Sequence, residues 1–251
     1  MTPMVLTARE GPLAILSLNR AARHNSIIPE MLEELLAAIG NLQSDPTMRA
    51  VLLLANGRSF SSGGDLQGFA DHLKTAQVYA ATLVGLLNRV ILAMFDLPVP
   101  IVTAVQGPVT GGALGFVLAS DVVLVSPEAS ITPYYSAVGF SPDGGWTALL
   151  PLVIGRKRAA EVLYCNKTIS PPQAVDWGMA SRIVPKEELR TEALRIGQEI
   201  IAGHQGSQRR TRELLRPPDL ASRLTKELEQ FVAQLGAPDT QERMLHFLSV
   251  M

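Results

Sequence analysis

The pattern of apolar and polar positions near the N-terminus alternates between strand-like and helix-like segments. Met4–Arg9 and Leu13–Leu18 are short apolar segments around the turn sequence Glu10-Gly11-Pro12, which predicts a β-hairpin. Ile28–Leu42 carries apolar residues at helical spacing, and Ser26 stands where a helix cap is expected. The chain is therefore expected to begin with a hairpin followed by a helix.

Three continuous apolar runs follow, each bounded by turn residues or helical patterns. They are Ala50–Ala55, Val99–Val105 and Val122–Val125. Such runs are typical of parallel strands that are covered on both faces. Strands that alternate with helices imply crossover connections, so the sequence predicts an α/β layered fold.

The chain after Gly155 is mostly helical. Helical periodicity is found in four further segments, which are Lys157–Tyr164, Pro172–Trp177, Glu187–Ala202 and Leu220–Leu235. A purely helical tail buries little apolar surface alone, so we expect it to pack on the core or on a neighbouring subunit. We divide the chain into a core over residues 1–190 and a C-terminal helical region over 191–251.

Composition and charge narrow the classes of partner. The 251 residues are 47% hydrophobic and 18% charged, with a net charge of -1, which lacks the basic excess that nucleic-acid binding needs. The single cysteine, Cys165, cannot form an internal disulfide, and the start shows no secretory signal, so a cytoplasmic protein is expected. The apolar stretch Leu97–Ala119 is interrupted by prolines and glycines, so we expect no membrane span. The four histidines show no metal-ligand spacing.

Two glycine-rich segments connect apolar strands to helices. The first is 57–66, Gly-Arg-Ser-Phe-Ser-Ser-Gly-Gly-Asp-Leu, and the second is 106–115, Gln-Gly-Pro-Val-Thr-Gly-Gly-Ala-Leu-Gly. Glycines at such turns let the backbone approach a ligand and direct N–H groups at an acceptor. Each segment alone fits tight packing equally well.

Together these segments resemble the crotonase (enoyl-CoA hydratase/isomerase) superfamily, over most of the chain. The matching motifs are Leu18-Asn19-Arg20 with Asn25, the Phe60–Leu66 loop, the Gly107–Gly115 turn, Gly139–Gly145, and Leu150-Pro151 before Ile154-Gly155. The resemblance implies a crotonase-like spiral of ββα units with a C-terminal helical region. It also implies a homotrimer or a dimer of trimers.

The resemblance implies roles for individual residues. Two backbone N–H groups, at positions matching Ser62 and Gly112, would bind the thioester oxygen of an acyl-CoA, whose coenzyme A is part of the substrate and not a cofactor. Fixed donors at that oxygen lower a barrier by about 3 kcal/mol each. The two glutamates that activate water in hydratases match Gly115 and Tyr135, so hydration of an enoyl thioester is not expected.

Asp143 is the remaining candidate acid/base. It resembles the catalytic acid of isomerase branches, which shift double bonds in enoyl-CoA esters or open the ring in phenylacetate degradation. The alternative is a helix cap, because Ser-Pro-Asp-Gly-Gly is also a turn before the segment Trp146–Leu150. Further substrate contacts implied by the resemblance are Arg23, Ser61, Gly63, Gly64, Asp65, Leu66, Gly111 and Tyr135.

Several functions remain open beside an enoyl-CoA isomerase. The acidic residue and the segment Asp176-Trp177-Gly178 are also similar to 4-chlorobenzoyl-CoA dehalogenase, although no histidine base is evident in the helix after the first loop. A hydratase-like enzyme and a catalytically silent acyl-CoA binder are also compatible with the resemblance. A nucleotide-dependent oxidoreductase is disfavoured, because neither a Gly-x-Gly-x-x-Gly motif nor a phosphate loop occurs.

Overall fold

The computed structural model describes residues 2–237 and 239–250. The strands are β1 (Val5–Glu10), β2 (Leu13–Leu18), β3 (Ala50–Ala55), β4 (Ile101–Val105), β5 (Val109–Thr110), β6 (Val122–Val125), β7 (Ile131–Thr132) and β8 (Arg182–Ile183). The helices are α1 (Pro29–Gln43), α2 (Leu66–Asp71), α3 (Ala76–Asp96), α4 (Leu114–Leu118), α5 (Tyr135–Val138), α6 (Leu150–Ile154), α7 (Arg156–Tyr164), α8 (Pro171–Asp176), α9 (Leu189–Ala202), α10 (Gln205–Leu215), α11 (Leu220–Leu235) and α12 (Thr240–Val250).

A six-stranded sheet in the order β1-β2-β3-β4-β6-β8 forms the centre of the molecule. The β1–β2 pair is antiparallel, as the predicted hairpin requires, and every later pair in this sheet is parallel. The strands β5 and β7 form a second, two-stranded parallel sheet. The carboxyl ends of β3 and β4 lead into the two glycine-rich segments, so the sheet brings these segments together.

The central sheet is covered on both faces. Val51 and Leu53 of β3 belong to the larger apolar cluster with α1 and α3, whereas Leu52 and Leu54 pack with Ala193 of α9. This alternation follows from the two-residue period of a strand. The continuous apolar runs were thus interpreted correctly as strands buried on both sides, and the α/β fold class is confirmed.

Two local expectations differ from the structure. Ser26 does not cap α1, because Pro29 begins that helix after Ile28 and the Ser26 hydroxyl instead donates to Asp65 Oδ2 at 3.1 Å. Helix α12 lies within the predicted C-terminal helical region 191–251, but none of the four predicted helical segments covers it. Pro238 lies outside the described residues, and the helix begins at Thr240.

The segment Leu73–Asp96 is long and apolar enough to cross a membrane by length and composition alone. It contains α3, which packs between α1 and α11 and contributes Val84, Val90 and Ile91 to the main apolar cluster. These contacts are those of a core helix, which passes the same length and composition test.

Candidate active site

A cavity of about 970 Å³ opens between the two glycine-rich segments and the C-terminal helices. Ser62, Gly64 and Leu66 line it from the first segment, and Gly111 and Gly112 line it from the second. The sequence argument that both segments converge on one place is consistent with this arrangement.

The two glycine-rich segments touch through their backbones. Ser61 forms an isolated parallel bridge with Val109, and the Thr110 N–H donates to the Ser61 carbonyl oxygen at 3.0 Å. Gly63 has φ +74°, and a Cβ there would lie 2.6 Å from the Thr110 carbonyl oxygen. Only glycine fits at this contact, which explains one of the paired glycines.

Successive backbone N–H groups of the first segment point in different directions. Their directions determine which of them can donate a hydrogen bond to a ligand in the cavity. The Ser62 N–H donates to the His24 carbonyl oxygen at 3.0 Å. The amide is already engaged within the protein, which contradicts the prediction that Ser62 supplies an oxyanion donor.

Gly64 has an amide without an acceptor in the described part of the chain, and it lies at the point where the segment faces the cavity. The Gly63 carbonyl oxygen accepts a hydrogen bond of 2.7 Å from the Ile27 N–H. Because C=O and N–H of a trans peptide point in opposite directions, the Gly64 N–H points away from Ile27. No acceptor among the described residues is bonded to it, and Gly64 lines the cavity.

Gly112 lies at the start of a short 3₁₀ turn, Gly111–Ala113. The first N–H groups of such a turn have no partner inside it. The Gly111 carbonyl oxygen, which belongs to the same peptide unit as the Gly112 N–H, accepts a hydrogen bond of 2.7 Å from the Trp146 indole. The Gly112 N–H consequently points away from that indole.

Asp143 lies beside Gly112 and lines the cavity. A Cβ at Gly112 would be 3.1 and 3.2 Å from its two carboxyl oxygens. Its side chain is 6% exposed and accepts a hydrogen bond of 2.5 Å from the Tyr135 hydroxyl. The carboxyl group does not cap a helix, because α6 begins at Leu150 after Leu149 and has no side-chain cap.

The surroundings of Asp143 make its carboxyl group unusually basic. Burial raises its pKa to about 7, the hydrogen bond from Tyr135 opposes the rise, and the negative charge of Glu227 adds to it. Burial and the Asp143 charge also raise the pKa of Tyr135, so its hydroxyl stays protonated. The site therefore contains a carboxyl group that is poised to gain or lose a proton near neutral pH.

Glu227 holds the loop that follows Asp143. This residue of α11 is 4% exposed, and its carboxylate accepts from the N–H groups of Gly145, Thr147 and Ala148 at 2.7 to 2.8 Å and from the Thr147 hydroxyl at 2.7 Å. The sequence interpretation missed it. The signal was present, because Glu227 stands on the buried stripe of Leu220, Leu224, Phe231 and Leu235.

Asp65 lines the cavity, but its carboxylate is engaged in anchoring the first segment. Burial raises its pKa, but the hydrogen bond and charge of Arg20 at 2.8 Å, the hydrogen bond from Ser26 and the charge of Arg23 together outweigh that effect, so the pKa of Asp65 is lowered overall. It also accepts from the Gln67 N–H at the start of α2 and pairs with Arg23 at 3.4 Å. Arg23 remains 55% exposed at the cavity mouth.

The other predicted contact residues divide into two groups. Leu66, Gly111 and Tyr135 line the cavity. Ser61 and Gly63 do not, because the Ser61 hydroxyl is buried against the Asn25 carbonyl oxygen at 2.7 Å and the Gly63 N–H donates to Ser61 Oγ. These two residues stabilise the conformation of the segment without lining the cavity.

Gly115 and Tyr135, the two positions that the sequence resemblance matched to the hydratase glutamates, offer no carboxylate and little space for one. A Cβ at Gly115 would lie 2.4 Å from Ile91 Cδ1 and 2.9 Å from the Gly144 carbonyl oxygen. Tyr135, at the second position, is bonded to Asp143 through its hydroxyl. Neither position offers a carboxylate that could activate water.

The wall of the cavity is strongly aromatic, and much of it comes from residues that the sequence interpretation did not identify. The aromatic lining residues are Phe69, Tyr134, Tyr135, Phe140, Phe231 and Phe247. Tyr134 packs on Phe247 of α12 with ring centroids 5.7 Å apart. Within the described ranges, no group of three or more His, Cys, Asp or Glu residues could hold a metal ion.

Two glycine-rich segments and one buried carboxyl group on a sheet of this topology define a crotonase-type protein. The family model for enoyl-CoA hydratase/isomerase matches residues 8–248. The chain belongs to the enoyl-CoA hydratase/isomerase family.

Individual relatives differ in their activities. The chain is 26% identical to 4-chlorobenzoyl coenzyme A dehalogenase-2 of Arthrobacter sp., over 94% of this chain and 87% of the relative. It is 31% identical to 1,2-epoxyphenylacetyl-CoA isomerase of Escherichia coli K12, over 80% and 77%. The crystal structure of an enoyl-CoA hydratase from Bacillus halodurans shares the fold, with a TM-score of 0.91, 23% identity and coverage of 97% of this chain and 99% of that one.

Proposed function

We propose that this chain is an enoyl-CoA isomerase that shifts a double bond through a dienolate, with Asp143 as the acid/base. The observation that carries the proposal is the position of the Asp143 carboxyl group, buried and next to Gly112 in the cavity. One carboxylate is sufficient for this reaction, because the same group can remove and return the proton.

The reaction removes one proton from the substrate and returns one proton to it, so the substrate and the product are isomers. The ionised Asp143 takes a proton from C2 of a 3-enoyl thioester, and the electron pair moves through the thioester carbonyl to its oxygen. The protonated Asp143 then returns the proton to C4, and the double bond is left between C2 and C3. No water or second acid is consumed.

The developing negative charge needs fixed donors. The amides of Gly64 and Gly112 are the pair that we assign to the thioester oxygen, with Gly64 replacing the Ser62 of the sequence argument. Both glycines line the cavity, and the peptide carbonyls next to them are held by Ile27 and Trp146 on their other sides. Each donor of this kind contributes about 3 kcal/mol to the transition state.

We propose that the acyl group is bulky or aromatic. The coenzyme A portion of the bound substrate would extend out of the cavity through its mouth. The aromatic wall supports the first part, because flat rings pack well against edges of Phe and Tyr. At the mouth, Arg23 and Arg58 line the cavity and offer charges for the phosphates of the coenzyme. No separate cofactor is part of the proposal.

Dehalogenation is a weaker candidate, although a dehalogenase is among the relatives. A nucleophilic aspartate needs a base to activate water for the second step. His72, the histidine that follows the first segment, is exposed, bonds to the Gly68 carbonyl oxygen and lines no part of the cavity. His24 lines the cavity, but its ring nitrogens are bonded to Ser59 Oγ and to Arg58. This arrangement favours proton transfer over nucleophilic attack.

The test is an assay of the purified protein with 3-enoyl, 2-enoyl and 4-chlorobenzoyl CoA esters. Conversion of 3-enoyl to 2-enoyl esters, lost in Asp143→Asn and kept in the exposed control Asp176→Asn, supports the proposal. Hydration of 2-enoyl esters or release of chloride as the main reaction contradicts it. Tight binding of the esters without any turnover identifies a silent binder instead.

We further propose a cytoplasmic homotrimer or dimer of trimers. The support is the exposed apolar residues Leu152, Val153 and Tyr164 on the adjacent helices α6 and α7. Light scattering with size-exclusion chromatography measures the subunit number, and a monomer at micromolar concentration contradicts this assembly.

A further inference from the structure

Trp146 is the largest fully buried side chain, and it stands next to the reacting groups without lining the cavity. It lies in the turn between Asp143 and α6. Its indole Nε1 donates to the Gly111 carbonyl oxygen at 2.7 Å. A buried indole N–H requires an acceptor, and the acceptor here is a carbonyl of the second glycine-rich segment.

The peptide that joins Gly111 to Gly112 carries both this carbonyl and the Gly112 N–H. In a trans peptide the two groups point in opposite directions, so the partner of the carbonyl fixes the direction of the N–H. Because neither residue has a Cβ, rotation of this peptide meets little steric resistance. The Leu114 N–H is shared between the carbonyls of Gly111 and Gly112, so it sets the direction less well than the indole.

Trp146 is itself held from two sides. The N–H groups of its neighbours Gly145 and Thr147 both donate to the Glu227 carboxylate, at 2.8 and 2.7 Å. Its ring packs edge-on against Tyr135, with centroids 6.1 Å apart and planes at 81°. Helix α11, which carries Glu227, thereby fixes the turn from which the indole reaches Gly111.

We propose that Trp146 is a positioning residue of the oxyanion site, which locks the Gly111–Gly112 peptide so that the Gly112 N–H faces the thioester oxygen. The inference rests on the proposed function, because it assigns a purpose to the Gly112 amide. Without the indole donor, the peptide can rotate and the buried Gly111 carbonyl oxygen loses a partner. Loss of one oxyanion donor reduces kcat by about 10²-fold.

The chain offers a matched control, because it contains only two tryptophans. Trp177, at the end of α8, lies near the guanidinium of Arg158 and lines no part of the cavity. Trp146→Phe and Trp177→Phe therefore make the same chemical change in two places. A third protein with 3-benzothienylalanine at position 146 keeps the ring shape and replaces only the N–H, so it decides the matter if Trp146→Phe does not fold.

The experiment measures the carbonyl stretch of bound hexanoyl-CoA, labelled with ¹³C at the thioester carbonyl, by difference infrared spectroscopy, together with its Kd and with kcat on 3-hexenoyl-CoA. In the wild type and in Trp177→Phe we expect a band at lower frequency than in free hexanoyl-CoA, because two N–H groups polarise the carbonyl. In the two Trp146 variants we expect the band to move back toward the free frequency and kcat to fall by about 10- to 100-fold. The Kd should change by less than about threefold, since the donors act mainly on the transition state.

The outcomes separate the inference from the function on which it rests. An unshifted band in the wild-type protein contradicts the proposed oxyanion site. A normal wild-type shift that persists in the benzothienylalanine protein, with unchanged kcat, overturns the role of Trp146 and leaves the proposed function standing. A fall in kcat with an unchanged band also overturns it, because the indole would then act by some route other than the Gly112 amide.

Discussion

The Tyr135 hydroxyl donates a hydrogen bond of 2.5 Å to Asp143 Oδ1 and lies 3.1 Å from the Asp143 carbonyl oxygen. This bond favours the ionised carboxyl group, whereas burial and the charge of Glu227 favour the protonated one, and the resulting pKa is about 7. The two residues thus set the pH at which the carboxyl group can act as a base.

The pH dependence of kcat/KM should follow the ionisation of Asp143. The base must be ionised to remove a proton, so kcat/KM rises with pH and levels off above about pH 7. In Tyr135→Phe the hydrogen bond that stabilises the ionised carboxyl group is lost, so the pKa of Asp143 rises. The rising limb of the kcat/KM against pH profile then moves to higher pH. Tyr134→Phe, whose ring packs on Phe247, is the control that should leave the limb in place. A limb that stays unchanged in Tyr135→Phe contradicts this description.

Glu227→Gln should shift the same limb in the opposite direction. Removal of a negative charge near Asp143 lowers its pKa, so activity persists to lower pH. The other groups near this turn are the Tyr135 hydroxyl and Arg223, which donates to the Ala148 carbonyl oxygen. The exposed Glu229→Gln on the same helix is the control. A limb that stays at the wild-type pH in Glu227→Gln would show that its charge does not act on Asp143, and a limb at higher pH would contradict the sign of the effect.

The carboxyl group of Asp143 should lower the stability of the protein at neutral pH. Its pKa is raised on folding from 3.8 to about 7, so the folded state loses stability as pH rises through this interval. Asp143→Asn carries no charge and should be more stable than the wild type at pH 8, by up to about 4 kcal/mol. Near pH 4 the difference should vanish. Urea unfolding at both pH values measures it, and equal stability at pH 8 argues against a buried, ionised Asp143.

Gly115→Glu should damage the fold instead of creating a hydratase. A Cβ at this position meets Ile91 and the Gly144 backbone at less than 3 Å, and overpacking of this kind costs about 1–3 kcal/mol. Gly85→Glu in α3 is the matched control, because a Cβ there meets nothing within 4 Å. Thermal unfolding compares the two. Hydration of a 2-enoyl ester by a stable Gly115→Glu protein would refute the argument from packing.

The sequence predicted much of the fold, and the physical reasons can be given for each part. Strands β3 and β6 are continuous apolar runs, so their positions could be predicted directly from the sequence. Asp143, Gly112 and Tyr135 stand in recognisable motifs, and the structure places all three around one cavity. Motifs of this kind record local chemistry that does not depend on distant contacts.

The residues that the sequence missed depend on contacts that no local pattern records. The choice between the amides of Ser62 and Gly64 depends on where the neighbouring carbonyls bond, to Thr110 and to Ile27. Glu227 contacts the Asp143 turn across some 80 residues of chain. A carboxylate on an otherwise apolar stripe is the sequence signal for such a contact, but it does not name the partner.

The central claim is that Asp143 carries the proton between two carbons of a bound enoyl thioester. The most direct measurement is kcat of Asp143→Asn against the wild type at saturating 3-enoyl-CoA and pH 8, with the Kd of a saturated acyl-CoA measured beside it. We expect kcat to fall by about 10²- to 10⁴-fold and Kd to change by less than about threefold. A variant that binds equally well and retains most of its turnover would contradict the account.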